Sequence, residues 1–235
     1  MQFVSPVIKT LLNLTLTFAL VLGGQAMAAG IDSLSNSDTA SGLKEALTRG
    51  AEIAVGQLGK KDGFLGDKRV RIPLPDSLRS VEKAMRTFGM KKQADELIET
   101  MNRAAEMAVL EAKPILTNAV KSMSFDDARG ILTGGDDAAT QYFKRTTSKD
   151  IAAKFLPIVK QATAKVNLAA QYNQYAGQAS KLGLLDEKDA DLDTYVTHKA
   201  MDGLFKMIAE QEKSIRKDPV GTGSAMLRKV FGALK

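Results

Sequence analysis

The chain has no cysteine, no tryptophan, one histidine (His198) and 6 prolines in 235 residues, and only 6% of it is aromatic. Without cysteine there is no disulfide, no thiolate nucleophile, no Cys-based zinc site and no residue for lipid attachment at a leader cleavage site. A single histidine excludes a multi-histidine zinc site. No Gly-x-Ser-x-Gly elbow occurs, so no nucleophile is marked for His198 to serve. Long apolar runs are scarce too. The one present, residues 11–22, would cover about 18 Å as a helix, short of a bilayer core of about 30 Å.

That run is preceded by Lys9 and followed by Ala26-Met27-Ala28, the pattern of a secretory leader cut after Ala28. The sequence therefore predicts export to the periplasm, with residues 1–28 removed. Lys9 is the only charge lost with the leader, which leaves 32 basic against 27 acidic side chains, a net charge of +5.

The full chain is 44% hydrophobic and 26% charged, an ordinary globular composition. Ala, Leu, Lys, Glu and Met dominate, and these are good helix formers. An exported domain without disulfides must be held by packing alone, and some two hundred residues suffice for that. The expected fold is all-α: a flexible leader over 29–38, then a single helical-bundle-like domain over 39–235 with about seven or eight helices.

Hydrophobic periodicity and breakers place the elements. A helix is expected over 39–58, and another from Asp76 or Ser77 to Phe88, ended by Gly89. Between them Val70, Ile72 and Leu74 alternate with polar or Pro positions, and Gly66-Asp67 signals a turn. That pattern predicts a small β-hairpin flap near 63–74, with Phe64 and Leu65 as the other arm. A central helix begins near Lys92, with Ala94, Leu97, Ile98, Met101, Ala104, Ala105, Ala108 and Ala112 on one arc. Pro114 kinks or restarts it. Ser124 with Asp127 forms a capping-box start, and Gly134-Gly135 ends that short helix. Asp136 is expected to cap a short helix over 138–145, and Ser148 to open a separate long one to Lys181 with a kink at Pro157. Further helices are expected over 192–217 and from Ser224.

Several polar clusters stand out. Asn102, Arg103 and Glu106 lie off the apolar arc of the central helix, and fit either the floor of a ligand cleft or a structural ion pair tying the helix to a neighbour. Asp126, Asp127, Asp136 and Asp137 suggest a carboxylate site. Their places in first helical turns favour capping, because the positive end of a helix dipole stabilises a carboxylate and repels a cation. Asp189, Asp191 and Asp193 imitate the first ligands of a calcium hand, but Thr194 and Ala200 stand where Gly and Glu are required. His198 and Asp202 are spaced as base and orienter, or as a solvated pair. Lys60, Lys61, Lys68, Arg69 and Arg71 make the flap region basic, which suits phospholipid or lipopolysaccharide head groups, or simply a solvated face.

Several blocks, in order, carry a resemblance. They are Asp62-Gly-Phe-Leu65 with Val70-Arg-Ile-Pro-Leu-Pro75, Met101-Asn-Arg-Ala-Ala-Glu106, Asp127-Ala-Arg-Gly-Ile-Leu132 and Asp137-Ala-Ala-Thr-Gln-Tyr-Phe143, then Asp191-Leu-Asp-Thr-Tyr-Val-Thr197, Asp202-Gly-Leu-Phe205, Glu212-Lys-Ser-Ile-Arg216 and Val230-Phe-Gly232. Together they resemble the exported bacterial family known as domain of unknown function 4197, over nearly the whole mature chain. The resemblance implies a helical envelope protein of Gram-negative-type bacteria and brings no activity, cofactor or catalytic residue. Some members of that family carry a lipid-attachment cysteine, which this chain lacks.

The functional expectation is a non-enzymatic binding or interaction module of the cell envelope. It would engage a small apolar or anionic ligand, or an envelope protein, through a groove near Asn102, Arg103 and Glu106. Its rival is a hydrolase or metal-dependent enzyme using Glu106 and the Asp-Asp-Ala carboxylates. The rival needs at least about three carboxylates converging in a cleft; the binding reading needs a pocket of about 300 Å³ or more with convergent polar groups. No cofactor, metal or nucleic-acid partner is expected.

Overall fold

The computed structural model describes residues 36–166, 169–170, 172–173, 181 and 191–218. The expected secretory leader, Asp189 of the calcium-hand pattern, and the helix from Ser224 lie outside the described residues, as does most of the span to Lys181. Within them the α-helices are α1 (Asn36–Leu58), α2 (Arg79–Thr87), α3 (Lys91–Ala108), α4 (Ala112–Lys121), α5 (Phe125–Thr133), α6 (Ala138–Thr163) and α7 (Leu192–Lys217). Short 3-10 turns, Asp76–Leu78 and Val109–Glu111, precede α2 and α4.

The apolar arc of α3 organises the packing. Ala94, Leu97, Met101, Ala104, Ala105 and Ala108 are wholly buried on it. With so many alanines on one face, helix axes can approach closely, and α3 packs against both α6 and α7. The two long helices α6 and α7 lie along one another, and α1 covers α7 and α4. Phe143 and Phe155 of α6, Leu204 of α7, and Leu43 and Leu58 of α1 fill the centre.

Pro114 is tolerated because it lies in the first turn of α4, where backbone N–H groups have no partner inside the helix anyway. The chain adjusts just before it through the 3-10 turn Val109–Glu111.

Two expectations are corrected. The segments 138–145 and 148 onward are one continuous helix, α6, rather than two. The hydroxyls of Thr146, Thr147 and Ser148 explain this: each donates back to a carbonyl four residues earlier, on Tyr142, Phe143 and Lys144. Such back-bonding satisfies the polar groups within a helix, so Ser148 does not act as a start signal. The helix also runs through Pro157, which is exposed, as is Ala153. Water can therefore take the Ala153 carbonyl that proline leaves without a donor.

The second correction is the flap. No strand occurs among the described residues, and 59–75 is an irregular strap of turns. Its backbone groups are taken locally and by helices instead of by a partner strand. Val70 and Arg71 both donate to the Asp67 carbonyl, at 3.1 and 2.8 Å. Phe64 is fully buried, inserted against Gly203 of α7. A Cβ at Gly203 would lie 2.6 Å from the Phe64 ring, so this helical glycine is what permits the ring to seat.

Candidate functional site

The polar row of α3 holds the strap. Asn102 is 0% exposed. Its Oδ1 accepts from the Ile72 N–H at 2.8 Å, and its Nδ2 donates to the Ile72 carbonyl at 2.9 Å and to Ile98 O at 2.8 Å. One turn on, Glu106 is 4% exposed. Its Oε1 accepts from the N–H groups of Phe64 (3.1 Å) and Leu65 (3.2 Å). Its Oε2 accepts from Arg103 Nη1 at 2.7 Å, and Arg103 Nη2 donates to Asp62 Oδ1 at 2.9 Å. Hydrogen bonding to Glu106 holds the Arg103 guanidinium well above its ordinary pKa. Asp62 adopts φ 65°, a conformation Asp tolerates better than most side chains. The three residues, read from the sequence as a cleft floor or a structural tie, spend their polar atoms on residues 62–72, on Ile98 and Glu99, and on one another, and the β-pattern of the strap is met by side chains of a helix.

The basic residues of the strap divide. Arg69 is paired with Asp67 and Glu210, and Lys206 Nζ donates to its carbonyl at 3.0 Å. Hydrogen bonds from Arg69 lower Asp67 to about 2. Lys60, Lys61, Lys68 and Arg71 are exposed.

The aspartates do not converge. Ser124 Oγ accepts from the Asp127 N–H, and the Asp127 carboxylate accepts from the Ser124 N–H, so the expected capping box forms at α5. The hydrogen bond from Ser124 lowers the Asp127 pKa. Asp126, Asp136 and Asp137 are exposed. Asp137 rather than Asp136 stands at the N-cap of α6, and its side chain accepts from Gln141 instead of from the helix backbone. Among the described residues no group of three His, Asp or Glu side chains is placed to hold a metal ion.

Sequence reasoning missed what does cap α6. Glu212 of α7, 6% exposed, accepts from the N–H groups of Ala139 and Thr140, both at 2.9 Å, and from the Thr140 hydroxyl at 2.9 Å. Arg216, one turn on, donates to Glu212 at 2.9 Å and to the Ile131 carbonyl at 2.8 Å. The pair therefore joins the end of α5, the start of α6 and α7. The traces in the sequence are the i,i+4 spacing of Glu212 and Arg216 and the place of 212–216 among the blocks that carry the resemblance.

Asp191 is the N-cap of α7, its carboxylate accepting from the Thr194 N–H. Asp193 is buried and accepts from the hydroxyl of Thr163 and from Asn173 Nδ2. Burial pushes its carboxyl pKa up. The calcium-hand resemblance thus dissolves into a helix cap and an inter-helix tie, with Asp189 outside the described residues.

One concavity brings singled-out residues together. Between the strap and α7 lies a groove of about 580 Å³ lined by Pro73, Asp76, Arg79, Tyr195, His198, Lys199 and Asp202. The Tyr195 hydroxyl donates to the Pro73 carbonyl at 3.1 Å, which ties one wall to the other. Lys199 Nζ sits 5.7 Å from the centre of the Tyr195 ring, and Arg79 pairs with Asp76 at 2.7 Å. His198 and Asp202, one turn apart on α7, both face this groove.

No helix among the described residues is long and apolar enough to cross a membrane. Residues 33–232 match the family described as "Protein of unknown function (DUF4197)". No curated protein and no solved structure matches the chain.

Proposed function

The chain belongs to the DUF4197 family of proteins of unknown function, and from that premise we propose that it is an exported, non-enzymatic binding module of the cell envelope. Its ligand site is the groove between the strap and α7, and the chemistry it suits is the acidic group of a small molecule. The observation that carries this is the convergence of Arg79, His198 and Lys199 from two elements on one concavity of about 580 Å³. That volume falls in the range of about 300–1,000 Å³ of small-molecule sites. Asp202 at the same groove, with Asp76, which pairs with Arg79, favours a ligand that also bears a hydrogen-bond donor or an amine. Export rests on Lys9, the apolar run over 11–22 and Ala26-Met27-Ala28.

The chain's single histidine makes the test direct. The imidazole resonances of His198 are followed by NMR while inorganic phosphate or succinate is added to the mature chain. Saturable shifts at millimolar concentration, lost in an Arg79→Ala, Lys199→Ala variant, are the expected result. An unmoved His198 signal would remove the groove reading. Export is checked separately, by finding a chain that begins at Ala29 in the periplasmic fraction.

A further inference from the structure

At the corner between α2 and α3 the chain exposes an apolar point inside a basic collar. α2 ends at Thr87, Gly89 turns with φ 82°, and α3 begins at Lys91. Phe88 and Met90, on either side of that glycine, are 78% and 42% exposed. A Cβ at Gly89 would meet nothing within 4 Å, so the space beside this turn is open. The packing of α2 is chiefly on α3 and on the turn Asp76–Leu78.

Between Glu82 and Asp95 the sequence has four basic residues and no acidic one. Arg86 is paired with both Glu82 and Asp95, at 2.8 Å each. Those pairs engage Glu82 and Asp95, while Glu96, the next residue, is exposed. Lys83, Lys91 and Lys92 remain, all exposed, around Phe88 and Met90.

We propose that this corner, Phe88-Gly89-Met90 with Lys83, Lys91 and Lys92, docks the protein on an anionic lipid surface. The apolar side chains enter the head-group boundary and the lysines lie at the phosphate level. An apolar anchor and a basic patch together give stable reversible attachment where either alone is marginal. The size of the apolar patch decides against a protein partner. The apolar part is only two side chains, whereas a stable protein interface takes about 800 Å² from each partner. A second copy would bring the same lysines face to face. A bilayer admits two apolar side chains and supplies the opposite charge.

The absence of tryptophan offers the test. Phe88→Trp places the only indole of the chain at the corner, in the full mature protein. Vesicles of phosphatidylcholine with phosphatidylglycerol at low salt are expected to shift its emission to the blue, with much less shift for phosphatidylcholine alone or at high salt. In flotation of the otherwise unaltered chain, Phe88→Ser with Met90→Ser, and Lys83, Lys91 and Lys92→Gln, each lower binding at least about tenfold. These side chains are exposed, so both variants are expected to keep the parent's melting temperature. Binding that survives both variants, or no blue shift on anionic vesicles, overturns the proposal. So does binding lost on changing Lys60, Lys61, Lys68 and Arg71 to Gln while the corner lysines prove dispensable, because attachment then runs through the strap. If the Phe88, Met90 variant turns a dimer into a monomer and leaves vesicle binding unchanged, the corner is a self-association surface instead.

Discussion

Asn102 exchanges two hydrogen bonds with the backbone of Ile72, accepting from its N–H and donating to its carbonyl. An adjacent β-strand would offer the same pair of bonds; here one carboxamide on a helix supplies both. The alternation of Val70, Ile72 and Leu74 therefore marks a segment that is half buried and hydrogen-bonded, without being a strand. All three are in the core.

Asn102→Ala leaves the buried N–H and carbonyl of Ile72 without those partners, at about 1–3 kcal/mol for each unsatisfied group. The expected loss of stability is about 3 kcal/mol, measured by denaturant unfolding. Amide exchange at Ile72 should accelerate more than exchange within α6.

Glu212→Ala removes the acceptor for Ala139 and Thr140 and leaves Arg216 largely covered without its carboxylate. Breaking a buried pair from one side costs about 3–5 kcal/mol. Removing both charges, with Glu212→Gln and Arg216→Met, should be less harmful than Glu212→Ala alone. Equal or greater damage in the double variant would show that the pair is not the cause.

Gly203→Ala drives a methyl to within 2.6 Å of the Phe64 ring. Overpacking of this kind costs about 1–3 kcal/mol. Combined with Phe64→Leu it should cost less than the sum of the two single changes, because the smaller side chain makes room.

Two carboxyls shape the response to acid with opposite signs. Asp67 is lowered to about 2 from 3.8, so its contribution is present above pH 3.8 and is lost as pH falls towards 2. Its partner Arg69 is half exposed, which keeps the effect under about 1 kcal/mol. Asp193 is raised above 3.8, so the folded chain holds its proton more tightly than the unfolded one. That advantage is present at low pH and is lost as pH rises from 3.8 through the folded value. Asp67→Asn should flatten the loss of stability between pH 4 and about 2. Asp193→Asn should flatten the decline on the higher side, both read from melting temperature against pH.

The parts that were legible in the sequence are those decided within one or two turns. The buried arc of α3, the Ser124–Asp127 box and the span of α7 all follow from spacing and short-range caps. What was not legible is decided by residues far apart in the chain. Ile72 is completed by Asn102, 30 residues on, and the start of α6 by Glu212, more than 70 residues on. An alternating apolar pattern cannot say whether a strand or a helix side chain will meet it. The continuity of α6 was hidden for another reason. Thr146, Thr147 and Ser148 serve equally as stop signals or as back-bonded interior residues, and only the surrounding packing chooses.

The strap also bears on solubility. A segment such as Val70-Arg-Ile-Pro-Leu74, left as a free edge, is a template on which other chains can add strands. Here Asp67, Asn102 and Tyr195 occupy hydrogen-bonding positions along it, and Pro73 and Pro75 have no N–H to offer. The anchoring on α3 thus withholds a polymerisation edge as well as fixing a loop, in a chain with no disulfide to hold that loop shut.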